Sequence, residues 1–396
     1  MKLFGCICLV AGTAIGVGML ALPITLAKFG LIYGSILMLA TWAISYFSAI
    51  LNLELNLRAE QGLPLGGLGK HFSGPKAYAI GSASLLLLCY ALICAYIYGG
   101  TSTLVSLKDF PLSFTQTACI YTIVIGLISL WPVAKIDHVT RVLFTGLISI
   151  VIAILSIVLW NLDFGMLPTL PSANFNFVNA NDTMPVVLTA FGFQVIFHTL
   201  VNYTEKDKVM LKKAFFWGSL IPAIVYIIWT GAICGTIYAN SPEFFAKMTM
   251  QSVEVGDMVQ ELCKISNSKI LSSLIWGISF LAITKSMICV SLGLIDALKT
   301  KHKLLENHTV AVLSVLIPTL AIALLVPNAF IKALGFAGMI LAFMAVLLPL
   351  YLLRCSYKKG HRTCYYPLVK NPLLLLSVAF YGMWVVASEL YRIVLN

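Results

Sequence analysis

The chain has 396 residues, 60% of them hydrophobic and 10% charged, with a mean hydropathy of +0.96. A soluble domain carries about 25% charge, so the composition excludes a soluble enzyme domain and points to a polytopic membrane protein. The net charge of +11 includes no basic stripe interleaved with aromatics; loop lysines and arginines on one membrane side account for it, and no nucleic-acid partner is expected.

Runs of about 20 apolar residues predict eleven spans, at 3–27, 32–57, 75–106, 113–132, 139–160, 184–203, 214–239, 270–296, 309–327, 329–353 and 372–394, the ninth and tenth parted by Pro327-Asn328. The chain is read as all-α, one transmembrane unit over 1–396. Met1-Lys2 before the first run resembles a secretory leader, but the run is too long and Lys28 closes it, so an uncleaved helix is expected. With the N-terminus cytoplasmic, eighteen lysines and arginines fall inside and seven outside, which fixes the orientation and puts the C-terminus outside. Most of the ten cysteines lie in apolar spans and none forms a CxxC pair, so neither a disulfide framework nor a metal site is expected. Two outer loops are long. Asn161–Thr183 carries Asp163 and Asp182; Asn240–Lys269 spaces its charges, Glu254 among them, as solvated surface helices do, with a lid as the alternative reading.

The first span carries the most informative stretch, Gly12-Thr13-Ala14-Ile15-Gly16-Val17-Gly18, followed by Pro23. Each glycine costs roughly 1 kcal/mol in a helix interior, and proline removes a donor. Irregular backbone at membrane depth is tolerated only where protein buries it or it lines a wet cavity, so a binding site is expected here. N–H groups at the start of the second half-helix suit an anion; carbonyls ending the first half suit a cation. A free amino acid carries both charges. The sixth span holds a second interruption, Phe191-Gly192-Phe193-Gln194, with His198 after it. Inverted repeats place broken helices at matching positions of two halves, and a five-helix repeat pairs the first span with the sixth. The competing reading is close helix packing at small residues.

Gly12 to Pro23 resembles the first-helix signature of the hydroxy/aromatic amino acid permease family, within the amino acid–polyamine–organocation superfamily. Phe191-Gly192-Phe193 with Leu200 and Tyr203 resembles that family's sixth helix, Ser286 to Asp296 its eighth, and Leu53 to Leu57 the end of its second. Met19-Leu20-Ala21-Leu22-Pro23 and Tyr90 to Gly100 are similar to the tyrosine/tryptophan branch. The resemblance implies a LeuT-type five-plus-five inverted repeat (1–160 and 184–353) with an extra helix at 372–394. It also implies a cell (inner) membrane permease, not an enzyme, without cofactors, importing tyrosine and/or tryptophan by proton symport and alternating access. A same-fold permease for serine, threonine or another neutral amino acid is the alternative.

By the same resemblance, N–H groups of Gly16, Val17 and Gly18 hold the substrate carboxylate and carbonyls of Thr13, Ala14, Ala190 and Phe191 its ammonium. Phe193, Tyr90 and Tyr96 are candidate walls. Lys285, mid-span and beside Ser286, is a functional residue by default. It stands where sodium-coupled relatives of the fold use a hydroxyl, so its ammonium is expected near the carbonyls of Gly12 and Ile15. Desolvation disfavours the charged form of a buried amine, so Lys285 could carry the coupled proton; a fixed cation in the ion's place and a lysine snorkelling to an interface stay open. Gln194 and His198 depart from the family pattern. His198 is either a second proton carrier or a packing residue. Glu54, one turn before Arg58, is read as an interfacial ion pair or an inner gate. Basic clusters at 206–213, 299–303 and 354–362 are read as topology signals first and lipid contacts second. An embedded enzyme would need clustered His, Asp or Glu on facing helices, and a channel would need rings of charge or a repeated filter; neither pattern is visible.

Overall fold

The computed structural model describes residues 2–107, 110–161, 167–172, 181–266, 268–299, 306–326, 329–361 and 363–395. Regular structure among them is helical throughout. The spans run α1 (Lys2–Ala14), α2 (Gly18–Leu26), α3 (Gly30–Arg58), the short α4 (Leu65–Phe72), α5 (Pro75–Val105), α6 (Phe114–Ser129) and α7 (Val133–Asn161). The chain continues through α8 (Thr183–Ala190), α9 (Phe197–Tyr203), α10 (Lys208–Asn240), α11 (Pro242–Thr249), α12 (Val255–Ser266), α13 (Lys269–Lys299), α14 (His308–Leu325), α15 (Ala329–Leu341), α16 (Leu348–Lys358) and α17 (Pro372–Leu395). The face where α1 begins is called proximal below, and the opposite face distal.

Eight described helical stretches are long and apolar enough to cross a membrane, against eleven expected spans. The expected first, fourth and sixth spans are missing from that count for physical reasons. The first is cut into α1 and α2 by non-helical backbone at Ile15-Gly16-Val17, and α2 then runs through a 3-10 turn into α3. The sixth is cut at Phe191 into α8, a 3-10 turn at Gly192–Ile196 and α9. The fourth, α6, is apolar but short; a capping box of Ser113 and Gln116 sets its start. Both interruptions expected from glycine placement are therefore present, each tighter than its motif. Pro327-Asn328 lies outside the described residues, as do 162–166 and 173–180 of the loop before α8. The described part of that loop lies on the start of α3: Leu31 N–H donates to Pro168 O at 2.7 Å, and Gly30 adopts a positive φ where a Cβ would meet the Leu170 carbonyl.

A π-turn at Ala342–Leu347 lies between α15 and α16. There the Ala345 carbonyl accepts from the Ser48 hydroxyl and, at 3.1 Å, from the Asn52 amide. This ties α3 to the tenth span, as backbone drawn out of its ladder requires. None of the ten cysteines is paired.

Glu54 ends in a buried network at the proximal end of α3. Its carboxylate accepts from Arg58 Nε at 2.8 Å and from the N–H groups of Tyr365 and Tyr366 at 3.0 and 2.9 Å. Arg58 in turn donates to Ser356 Oγ, His361 O and Tyr357 Oη. The ion pair expected from the one-turn spacing is present, but both side chains are fully buried rather than interfacial. The pair anchors the loop between α16 and α17.

Asn240–Lys269 does not form merely solvated helices. α11 buries Phe245 and Met248, and α12 buries Val255, Met258, Val259 and Leu262. α12 packs on α5, α13 and α10 and covers the distal end of the bundle.

Replacing Glu54 with Ala strands a buried guanidinium, which costs about 3–5 kcal/mol. The thermal unfolding midpoint in detergent should fall sharply, and Glu54→Ala combined with Arg58→Met should recover most of the loss.

Candidate functional site

The two breaks meet. α1 enters from the proximal face and ends at Ala14; α8 enters from the distal face and ends at Ala190. The Tyr226 hydroxyl, on α10, donates to Ala14 O at 2.5 Å and lies 3.0 Å from Ala190 O. Two helix C-termini, each carrying about half a negative charge, thus converge on one phenol that carries a single proton. Phe191 sets its ring edge-on to Tyr226 at 5.4 Å, and both are fully buried.

α2 starts against the end of α8. A Cβ on Gly18 would lie 2.6 Å from Ala190 Cα, so only glycine lets the half-helices approach this closely. A Cβ on Gly16 would lie 2.9 Å from Ser286 Oγ, which brings the eighth span, α13, to the break. Among the described residues no backbone carbonyl accepts from the N–H groups of Gly16, Val17 or Gly18, whereas Met19 and Leu20 bond back to Gly16 O and Val17 O at 3.2 and 3.0 Å. Three donors thus stand at the positive end of α2, beside two carbonyls at negative ends.

Lys285 reaches the same place from α13. Its Nζ donates to Gly12 O at 2.9 Å and lies 4.8 Å from the centre of the Phe144 ring. Phe144, on α7, also closes over Gly12, where a Cβ would lie 2.9 Å from its ring. The ammonium caps a bared carbonyl of α1 and has an aromatic face as its other neighbour; it does not run to an interface. Among the described residues no hydrogen bond joins it to Ile15.

The remaining expected residues divide. Phe193 is fully buried, 6.3 Å from the Phe215 ring. Tyr96 is buried on α5. Tyr90 turns elsewhere, donating to Ser314 O of α14 at 3.1 Å. Thr13 bonds back to Leu9 O at 2.8 Å. His198 lies on α9, its Nε2 3.4 Å from Thr199 Oγ1. Glu54 belongs to the network at the end of α3. The Gln194 side chain lies outside the described residues. Tyr226 and Phe144 were not legible beforehand, because a tyrosine or phenylalanine inside an apolar run gives no sign of facing a break in another helix.

Exposure separates the two halves of each broken helix. α2 and α8 are buried apart from half-buried Gly18 and Thr189, whereas α1 exposes Cys8 and Thr13 and α9 exposes Thr199 and Asn202. An ion pair of Lys2 and Glu205 at 3.2 Å links the proximal ends of this pair at the surface.

The sequence matches the Tryptophan/tyrosine permease family over residues 1–388. The chain belongs to this family. Among its relatives, "Tyrosine-specific transport system 1" of Haemophilus influenzae is 32% identical over 96% of this chain and 95% of its own length. "Tryptophan-specific transport protein" of Pseudomonas aeruginosa is 28% identical over 96% and 92%. "Glutamine transporter 2" of Aliivibrio fischeri is 27% identical over 90% of each. As a member of the permease family the protein is an integral membrane transporter and not an enzyme.

Two substitutions probe the meeting point. Tyr226→Phe leaves buried carbonyls without a donor and should cost about 1–3 kcal/mol, read as a lower unfolding midpoint in detergent. Gly18→Val forces α2 from α8 and should abolish substrate binding, measured by scintillation proximity, while Thr13→Ser at the exposed edge should bind as the parent does.

Proposed function

We propose that this permease is a secondary transporter that imports tyrosine and/or tryptophan with protons by alternating access. What carries the reading is the convergence of Ala14 O, Ala190 O and the N–H groups of Gly16, Val17 and Gly18, which matches the charges of an amino acid main chain. The names of relatives, tyrosine- and tryptophan-specific, supply the aromatic side chain. Phe191, Phe193 and Tyr96 are the walls that would meet it.

The proposed architecture is LeuT-type. Counting α1 with α2, α8 with α9 and α15 with α16, and leaving out the short α4, α11 and α12, gives eleven spans: two five-helix halves over 1–160 and 184–353, and α17 as an extra helix. The proximal face is then cytoplasmic, in the inner membrane, by the lysine and arginine excess. The buried α2 and α8 and the partly exposed α1 and α9 fit an inward-facing conformation.

In this reading the carboxylate takes the N–H groups that α2 leaves bare, and the ammonium takes the carbonyls of Ala14 and Ala190, displacing Tyr226 from at least one. Lys285 takes the place of a coupling ion. Protonated, it holds Gly12 O and so pins α1 to α13. Once it loses its proton to the cytoplasm, that charge-assisted bond weakens and α1 is free to tilt. His198, on the exposed α9, is the second candidate for handling the proton. The glutamine-transporting relative favours a second reading, import of another neutral amino acid, with serine and threonine as the first to test.

In sodium-free proteoliposomes with an alkaline interior, labelled tyrosine or tryptophan should accumulate, and a protonophore should abolish accumulation. Uptake that requires sodium would contradict the coupling; competition by glutamine or serine but not by aromatics would favour the second reading. Lys285→Thr should lose pH-gradient-driven uptake and gain sensitivity to sodium.

A further inference from the structure

The distal cover is held by a small polar latch outside the site described above. Tyr98 and Ser102 lie one turn apart on α5. Tyr98 lies beside the Glu254 carboxyl, and the Gly256 N–H donates to Ser102 Oγ at 3.1 Å. Gly256 sits so close to α5 that a Cβ would meet the Ser102 carbonyl. Two positions of the cover, two residues apart, thus grip one face of the helix that also carries Tyr96. Glu254 stands just before α12, half-buried, and its Oε2 is inaccessible to solvent with no hydrogen-bond partner among the described residues. An ionised carboxylate with an inaccessible, bare oxygen is poorly housed there; a neutral carboxyl is not.

We propose that Glu254 is a proton-binding residue of the distal cover, and that taking up a proton seats the cover on α5. The groups that face it are Asp257 on α12, Tyr98 on α5 and Lys332 on α15. Asp257 accepts the Glu254 N–H at 2.8 Å, which brings a second carboxylate close. Burial first, and then Asp257, push the Glu254 carboxyl up to about 7, against the opposing pull of Tyr98 and Lys332. With the cover lifted, Glu254 is in water and returns to the ordinary glutamate range near 4.3. Seating therefore takes up a proton between those values, and the seated state is favoured as pH falls below about 7. The consequence for transport rests on the proposed orientation: the cover closes on the acid, external side, so a proton from outside accompanies closure over a loaded site. Glu254 does not touch substrate in this scheme; it positions the cover.

Hydrogen–deuterium exchange of the full-length protein in proteoliposomes, corrected for the intrinsic pH dependence of exchange, tests this without substrate. Protection of the α12 amides should fall roughly tenfold or more between pH 5.5 and 8.5, while α17 is unchanged. Glu254→Gln, which mimics the protonated acid, should hold the pH 5.5 protection at both values. Asp257→Asn should shift the midpoint to lower pH. Protection of α12 that is independent of pH in the parent, a fall that persists in Glu254→Gln, or an unmoved midpoint in Asp257→Asn would overturn the proposal. The readout needs no amino acid, so its failure leaves the transport reading standing, and absence of tyrosine uptake leaves the latch standing.

Discussion

A peptide group without a partner at membrane depth is the constraint on which this structure depends. Breaking one helix there bares several carbonyls and N–H groups; this chain breaks two and brings the breaks together. Three of the bared carbonyls have side-chain partners. Gly12 O takes the Lys285 ammonium, and Ala14 O and Ala190 O share the Tyr226 hydroxyl. These partners are side chains, which can let go, rather than backbone, which cannot. In the proposed binding mode, the groups that satisfy these carbonyls are therefore the ones a zwitterion would displace. The bare N–H groups of α2 complete the arrangement with opposite polarity a few ångströms away.

Close approach makes this possible and explains the glycines. Gly18 against Ala190 and Gly16 against Ser286 are contacts that a Cβ would block, so the residues that weaken a continuous helix also allow its halves to pack. Farther out the chain is conventional. The Glu54–Arg58 network anchors the proximal end, and the π-turn near Ala345 joins α3 to the tenth span. The cover at the distal end is held by its buried apolar face and by polar contacts to α5 and α13. Lys285 and Glu254 stand on different elements, one at a helix break and one under the cover, so in the proposed scheme proton binding would bear on the two ends separately.

Much of this was legible in the sequence because membrane spans and broken helices have strong signals. Apolar runs located the long helices to within a few residues at most ends, and α5 matched 75–106 almost throughout. The largest shortfalls were α7, which starts at Val133 rather than 139, and α10, which starts at Lys208 rather than 214, because charged residues on their first turns masked helical backbone. The amphipathic α4 escaped notice because Gly66, Gly67 and Gly69 read as a turn. At the site, glycine spacing and an intramembrane lysine marked Gly12, Gly16, Gly18 and Lys285, and each lies at the breaks. Tyr226, Phe144 and Glu254 were not legible, since their roles come from what faces them across helices. Tyr90 failed as a neighbour for the same reason: helical periodicity places a residue on a face without naming the helix opposite.

The central claim is that half-helix ends read both charges of an amino acid main chain, and competition for labelled tyrosine binding to the purified protein tests it most directly. Tyramine lacks the carboxylate and 3-(4-hydroxyphenyl)propionate lacks the ammonium; each keeps the phenol ring. Because a hydrogen bond to a charged group contributes about 1.5–3 kcal/mol, both should compete at least about tenfold more weakly than tyrosine. An analogue that competes as well as tyrosine would contradict the assignment of the helix ends it fails to engage.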